Sequence, residues 1–231
     1  MKTVGIVGGI APESTIAYYR QIIAAYRAHS STVSYPSIII NSIDLKRMLD
    51  LVAANELAIL TDYLHDAIQK LVRAGADFAV LASNTPHIVF DELRARSPLA
   101  LISIVEAACA EAETLGMKRV GLFGTRFTMQ ANFYAEVFSR AGIEIIVLSE
   151  VEQDYIHTHY MNELVKGIFL AETKENLLEI VDRLRERSDV DGIILGGTEL
   201  PLILRDGEHN GIPFLDTTKI HVRRIVAELV A

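Results

Sequence analysis

Cysteine is almost absent. The only one is Cys109, so no disulfide can form within the chain, and the composition suits a reducing compartment. Positive charge is also in deficit, with 22 Lys and Arg against 30 Asp and Glu, a net charge of −8 and a pI near 5.4. That balance argues against nucleic acid and anionic membrane as main partners, since both attract basic surfaces. No apolar run reaches membrane-spanning length. The opening MKTVGIVGG lacks the long apolar stretch and cleavage site of a signal peptide and leads straight into a strand, so the expected location is cytoplasmic. There is no low-complexity tract, and no Pro/Ser-rich linker divides the chain. What is present is a globular balance: 50% apolar and 23% charged residues over 231 positions, enough for one large domain or two small ones.

Apolar runs alternate with amphipathic stretches. Residues 3–7, 37–41 and 78–82 read as buried strands. Residues 13–27 read as a helix with Pro12 at its first turn, where a missing N–H costs nothing. Residues 56–74 read as a second helix ending at Gly75, a plausible C-cap. Continuous apolar strands separated by helices imply an α/β protein whose parallel sheet is covered on both faces.

The pattern recurs. KTVGIVG at 2–8 matches KRVGLFG at 118–124, which places Tyr18 on Tyr134 without a gap. GADFAVLASNTPH at 75–87 matches DVDGIILGGTELP at 189–201, and each segment follows an amphipathic helix. The offsets, 116 residues from Lys2 to Lys118 and 114 from Gly75 to Asp189, are nearly equal. Two matches at one offset and in one order point to a duplicated unit of roughly 115 residues, a typical domain size. The expected halves are residues 1–98 with 212–231, and residues 99–211. In open parallel sheets ligands bind beyond the carboxyl ends of the strands. The expected site is therefore a cleft between the halves, with Ser83 and Gly197 at equivalent positions.

Four loops leave those strand ends. Residues 8–14 (GGIAPES) pair glycines with a helix start, which suits a carboxylate or phosphate, although a tight turn explains the glycines equally well. It is neither G-x-G-x-x-G nor a P-loop. Residues 83–87 (SNTPH) place three small polar residues before a proline. Capping explains Thr85 and Pro86 but does not require Ser83, Asn84 and His87 together, which points to function. Residues 196–201 (GGTELP) mirror that loop, with Thr198 as the matching cap and Glu199 in the first helical turn, where acids are favoured anyway. Residues 124–129 (GTRFTM) offer Thr125, Arg126 and Thr128 as carboxylate contacts or as caps. Arg47, just past the second strand, has the fork geometry for a carboxylate, but surface arginines are common. Cys109 lies in EAACAEAETLG and reads as a small buried packing residue. The stretch YIHTHY, with Tyr155, His157, His159 and Tyr160, lacks further ligand-type residues at supporting spacing and reads as non-metal.

Taken in order, KTVGIVGG with ES-T-x-x-YY, SNTPH, GLFGTRFTM, ILGGTELPL and FLDTTKIHV resemble the aspartate/glutamate racemase family nearly end to end. These are amino-acid racemases that use no pyridoxal phosphate. The resemblance implies two flavodoxin-like halves related by pseudo-twofold symmetry, no cofactor and a homodimer. It also implies carboxylate contacts from Ile10, Arg47, Asn84, Thr85, Thr125, Thr198 and Lys166. In VKxG, Lys166 matches a family lysine, though its pattern alone is that of a solvated helix lysine.

The family exchanges the α-proton between two cysteines, one on each face of the substrate carbon. By residue-by-residue transfer these positions are Ser83 and Gly197, and neither is cysteine. A serine hydroxyl is a poor base unless activated, and glycine has no side chain. Three readings follow: an isomerase acting on a small acidic amino acid through other groups, with Glu199 or His87 as base; a carboxylate-binding relative without turnover; or a lyase or decarboxylase using a non-thiol acid/base.

Overall fold

The computed structural model describes residues 2–29 and 34–231. The chain divides into two compact units, one running to Ile104 and including Thr218–Ala231, the other Val105–Thr217.

The first unit is built on four parallel strands. β1 (Thr3–Gly8) is followed by α1 (Pro12–His29), β2 (Ser37–Ser42), α2 (Leu45–Ala53), α3 (Leu57–Arg73), β3 (Phe78–Leu81), α4 (Phe90–Arg96) and β4 (Ala100–Ile102). The sheet order is β2-β1-β3-β4, every pair parallel. All four residues of β3 are buried, as a continuous apolar run at a sheet centre should be. α3 ends where the pattern predicts: its C-cap is Ala74, and Gly75 follows with φ of 92°. α2 is an element the sequence reading passes over. It is a nine-residue helix started by the Asp44 carboxylate, which accepts from the N–H groups of Lys46 and Arg47.

The second unit repeats this plan. It runs α5 (Ile104–Thr114), β5 (Arg119–Gly124), α6 (Arg126–Gln130), α7 (Phe133–Arg140), β6 (Glu144–Ile146), α8 (Glu150–Asn162), α9 (Ala171–Ser188), β7 (Gly192–Gly196), α10 (Leu200–Ile203), β8 (Glu208–His209) and β9 (Ile212–Asp216). The order is β6-β5-β7-β9, parallel, with β8 added antiparallel at the edge. The final helix α11 (Thr217–Val230) returns to the first unit, where Val222, Ile225, Val226 and Leu229 pack with Val4, Ile6, Tyr18 and Val80.

The duplication extends to side chains that no apolar pattern reveals. Asp77 accepts the N–H of Thr3 at 2.7 Å, and its own N–H donates to the Thr3 carbonyl at 2.9 Å. At the matching position Asp191 accepts from Arg119 at 2.8 Å and returns its N–H to the Arg119 carbonyl at 2.7 Å. Each aspartate pins the start of its unit's first strand to the strand beside it. Tyr18 and Tyr134, the other predicted pair, are both fully buried.

The expected limits of the halves need correction at both ends. β4 pairs with β3, so residues 100–102 belong to the first unit rather than the second. β9 pairs with β7, so residues 212–216 belong to the second rather than the first. Strand pairing, not loop composition, sets these limits. Among the described residues, no helix is long and apolar enough to cross a membrane.

Candidate functional site

The first unit's candidate residues lie where β1, β2 and β3 end. Ile10 is buried in the loop after β1. There the Gly9 N–H already donates to Thr15 Oγ1 at 2.7 Å, so that amide is used locally rather than left for an anion. Ser14 Oγ donates to the Ala82 carbonyl at 2.8 Å and ties the start of α1 to the end of β3. Ser83, Asn84 and Thr85 follow, all buried. Thr85 does not cap a helix as expected. It begins a 3-10 turn, Thr85–Val89, and Asn84 holds the flanking position without a side-chain cap. Arg47 is exposed on α2, its guanidinium stacked 4.4 Å from the centre of the Tyr63 ring.

His87 holds this loop from inside. Its Nδ1 lies 3.0 Å from the Ser83 carbonyl and its Nε2 accepts the Ile104 N–H at 3.3 Å. The ring stacks on Phe90 with centroids 4.6 Å apart. Burial, and to a lesser degree the neighbouring His221, lower its pKa to about 3. His87 is thus a neutral imidazole donating from Nδ1 and accepting at Nε2. Both of its ring nitrogens are engaged within the unit.

In the second unit, Thr125 does cap α6: its Oγ1 accepts the Thr128 N–H at 3.2 Å. Lys166 is exposed in a 3-10 turn, Leu164–Lys166. After β7, whose residues are all buried, come Gly197, Thr198 and Glu199. Thr198 is not a helix cap. Its hydroxyl donates to Glu199 Oε2 at 2.9 Å. Glu199 sits at the position flanking α10 with no cap bond from its side chain, and is 1% exposed. Its Oε2 also accepts from the Tyr160 hydroxyl, which arrives from α8. Burial first, then the negative charge of Glu199, keep the Tyr160 phenol protonated far above its usual pKa.

Tyr160 is the residue that sequence reasoning missed. It was visible only as part of the His-rich stretch, and helical spacing cannot show that α8 faces the loop after β7. The two histidines of that stretch have other partners: His157 Nδ1 accepts the Arg126 N–H at 3.2 Å, and His159 Nδ1 lies 2.7 Å from Glu163 Oε1. Among the described residues, no cluster of His, Cys, Asp or Glu has the arrangement of a metal site. Cys109 is buried in α5, and burial followed by Glu113 and Glu106 raises its thiol pKa to about 11, the reverse of a reactive cysteine. A cavity of about 490 Å³ opens between α7 and α8, but none of the residues singled out for chemistry lines it.

Two parallel sheets of matching strand order, each with polar loops at the carboxyl ends of its central strands, define a duplicated flavodoxin-like α/β protein. The family model for Asp/Glu/hydantoin racemases matches residues 7–225, and the chain belongs to that family. The broad-specificity amino-acid racemase RacX of Bacillus subtilis is 25% identical over 236 residues, covering 99% of this chain and 98% of its own. The crystal structure of an aspartate racemase homologue from Pyrococcus horikoshii superposes with a TM-score of 0.85 at 33% identity, over the full length of both chains. Picrophilus torridus aspartate racemase shares the fold, with a TM-score of 0.78 at 20% identity over 100% of this chain and 95% of its own.

Proposed function

We propose that the protein is a cofactor-independent racemase acting on a small acidic amino acid by proton exchange at the α-carbon, with a carboxylate in place of a thiol. The observation that carries this reading is Glu199: a buried carboxylate on the loop after β7, two residues from Gly197, accepting hydrogen bonds from Tyr160 and Thr198. Those two hydroxyls donate to the carboxylate and so stabilise its ionised form, against the burial that favours the neutral acid.

In the forward step the substrate Cα–H bond breaks, the proton moves to the Glu199 carboxylate, and the electron pair stays on the substrate carbon, delocalised into its carboxylate. Reprotonation from the opposite face completes inversion. Ser83, on the loop after β3, is the proposed donor: its hydroxyl gives a proton to the carbon, the alkoxide left behind takes a proton from water, and Glu199 releases its proton to water. The Ser83 backbone carbonyl is held by His87, which fixes the loop without taking part in the proton transfer. The proposed substrate contacts are Ile10, Arg47, Asn84, Thr85, Thr125, Lys166 and Thr198. Arg47 favours an acidic side chain because its exposed guanidinium offers paired donors to a carboxylate.

The absence of a side chain at Gly197 favours a second reading, a protein that binds a small carboxylate without turning it over. Chiral chromatography of L-aspartate, D-aspartate and both glutamate enantiomers after incubation with the protein separates the two. Inversion that Glu199→Gln reduces by about 10²–10⁴ supports the racemase. Binding by calorimetry with no inversion of any of the four supports the binding protein and sinks the racemase.

A further inference from the structure

Glycine at 197 is not demanded by the backbone, because its φ lies outside the left-handed region. It is demanded by space. A Cβ built there overlaps Cε2 of the Tyr160 ring and lies 2.9 Å from both Cζ and the hydroxyl oxygen, and its three nearest neighbours all belong to Tyr160. The ring has little room to move aside. Tyr160 is 6% exposed, belongs to the core that includes Phe123, Ile156 and Leu164, and is tied through its hydroxyl to Glu199.

We propose that Tyr160 is a positioning residue of the second unit's proton site: its ring stands where a side chain at 197 would be, and its hydroxyl holds the Glu199 carboxylate as acceptor. The glycine and the tyrosine are then one feature, since neither is compatible with a thiol at 197. Tyr160 keeps its own proton throughout, because burial and the adjacent charge oppose its ionisation. Its part is to donate to ionised Glu199 and to fix the carboxylate's orientation. This assignment rests on the reading of Glu199 as the group that takes the α-proton.

Tyr160→Phe keeps the ring and removes the donor. In that variant kcat for inversion is expected to fall about 10-fold to 100-fold, the effect of one hydrogen bond to a charged group, with KM nearly unchanged. The acid limb of the kcat profile should move to higher pH, because a carboxylate that loses a donor binds its proton more tightly. The same shift is read without turnover from the carboxyl resonance of ¹³C-labelled Glu199 titrated in both proteins. The steric half is tested by stability: Gly197→Ala should lower the melting temperature of the native protein but be tolerated once Tyr160→Leu has made room. An unmoved Glu199 titration in Tyr160→Phe, or equal penalties for Gly197→Ala in both backgrounds, overturns the proposal. Wild-type protein that inverts no acidic amino acid, yet shows the Glu199 shift and the steric coupling, overturns the racemase reading while leaving the pair in place.

Discussion

His87 and His221 are both fully enclosed, and each ring uses one nitrogen as donor and the other as acceptor. His221 accepts from the Tyr18 hydroxyl at 2.8 Å and lies 3.0 Å from the Ile102 carbonyl through Nε2. Burial is the leading cause that lowers both, to about 3 for His87 and about 4 for His221. Folding therefore excludes a proton that the unfolded chain binds below about pH 6.5. Stability should be flat above that pH and decline as pH falls towards 4, by at most about 1.4 kcal/mol per pH unit for each histidine. Urea midpoints at pH 7.5, 6 and 5 check this, and His221→Gln should flatten the slope. His87→Gln should also cost about 1–3 kcal/mol at pH 7.5, by leaving the Ile104 N–H or the Ser83 carbonyl without its partner. At this scale the sequence was legible only where chemistry is local. Thr125 caps the helix beginning one residue later, so its role shows in a short window. Tyr160 and Glu199 are 39 positions apart, and nothing nearer in sequence than the folded sheet brings them together.

α8 carries Tyr160, and its first turn is unusually well anchored. Ser149 and Glu152 form a reciprocal capping box, and the same Glu152 carboxylate receives both terminal nitrogens of Arg187 on α9, at 2.8 and 2.7 Å. Burial opposes the charge on Glu152, but the Arg187 and Ser149 hydrogen bonds outweigh it and bring its pKa to about 2. Glu152→Gln should lower stability by about 1–3 kcal/mol, since it weakens a cap and leaves Arg187 without its anion. Thermal melts at neutral pH measure this. The same variant should lose less relative to wild type as pH falls towards 2, where the native carboxylate also becomes protonated. α3 was legible because its apolar periodicity spans several turns, and β1 and β3 because each is a short continuous apolar run. α2 was not, because its nine residues give only about two and a half turns of pattern. The caps expected at Thr85 and Thr198 failed for a related reason. A small hydroxyl before a proline or an acid signals a turn without fixing its partner, and the Thr198 hydroxyl donates to the carboxylate of the next residue.

For the molecule as a whole, duplication is the feature that sequence revealed best. Equal offsets between distant segments survive divergence of the residues between them. The limits of the two units were less legible, because β4 and β9 are assigned by their sheet partners. Asp77 and Asp191 provide a test of the repeat: each pins the first strand of its own unit, so Asp77→Asn and Asp191→Asn should each cost about 1 kcal/mol. In the double variant the penalties should add, since each contact is confined to one sheet. Membership of the racemase family follows from the match over residues 7–225, whereas the proposed chemistry rests on Glu199, in a loop whose residue 197 is glycine. The most direct measurement of that chemistry is α-proton exchange in D₂O, following aspartate and glutamate by proton NMR while the enantiomers are resolved. The account predicts deuterium in the inverted product, at a rate that falls about 10²–10⁴ in Glu199→Gln. Exchange no faster than in buffer for all four enantiomers, or full exchange retained in Glu199→Gln, would contradict it.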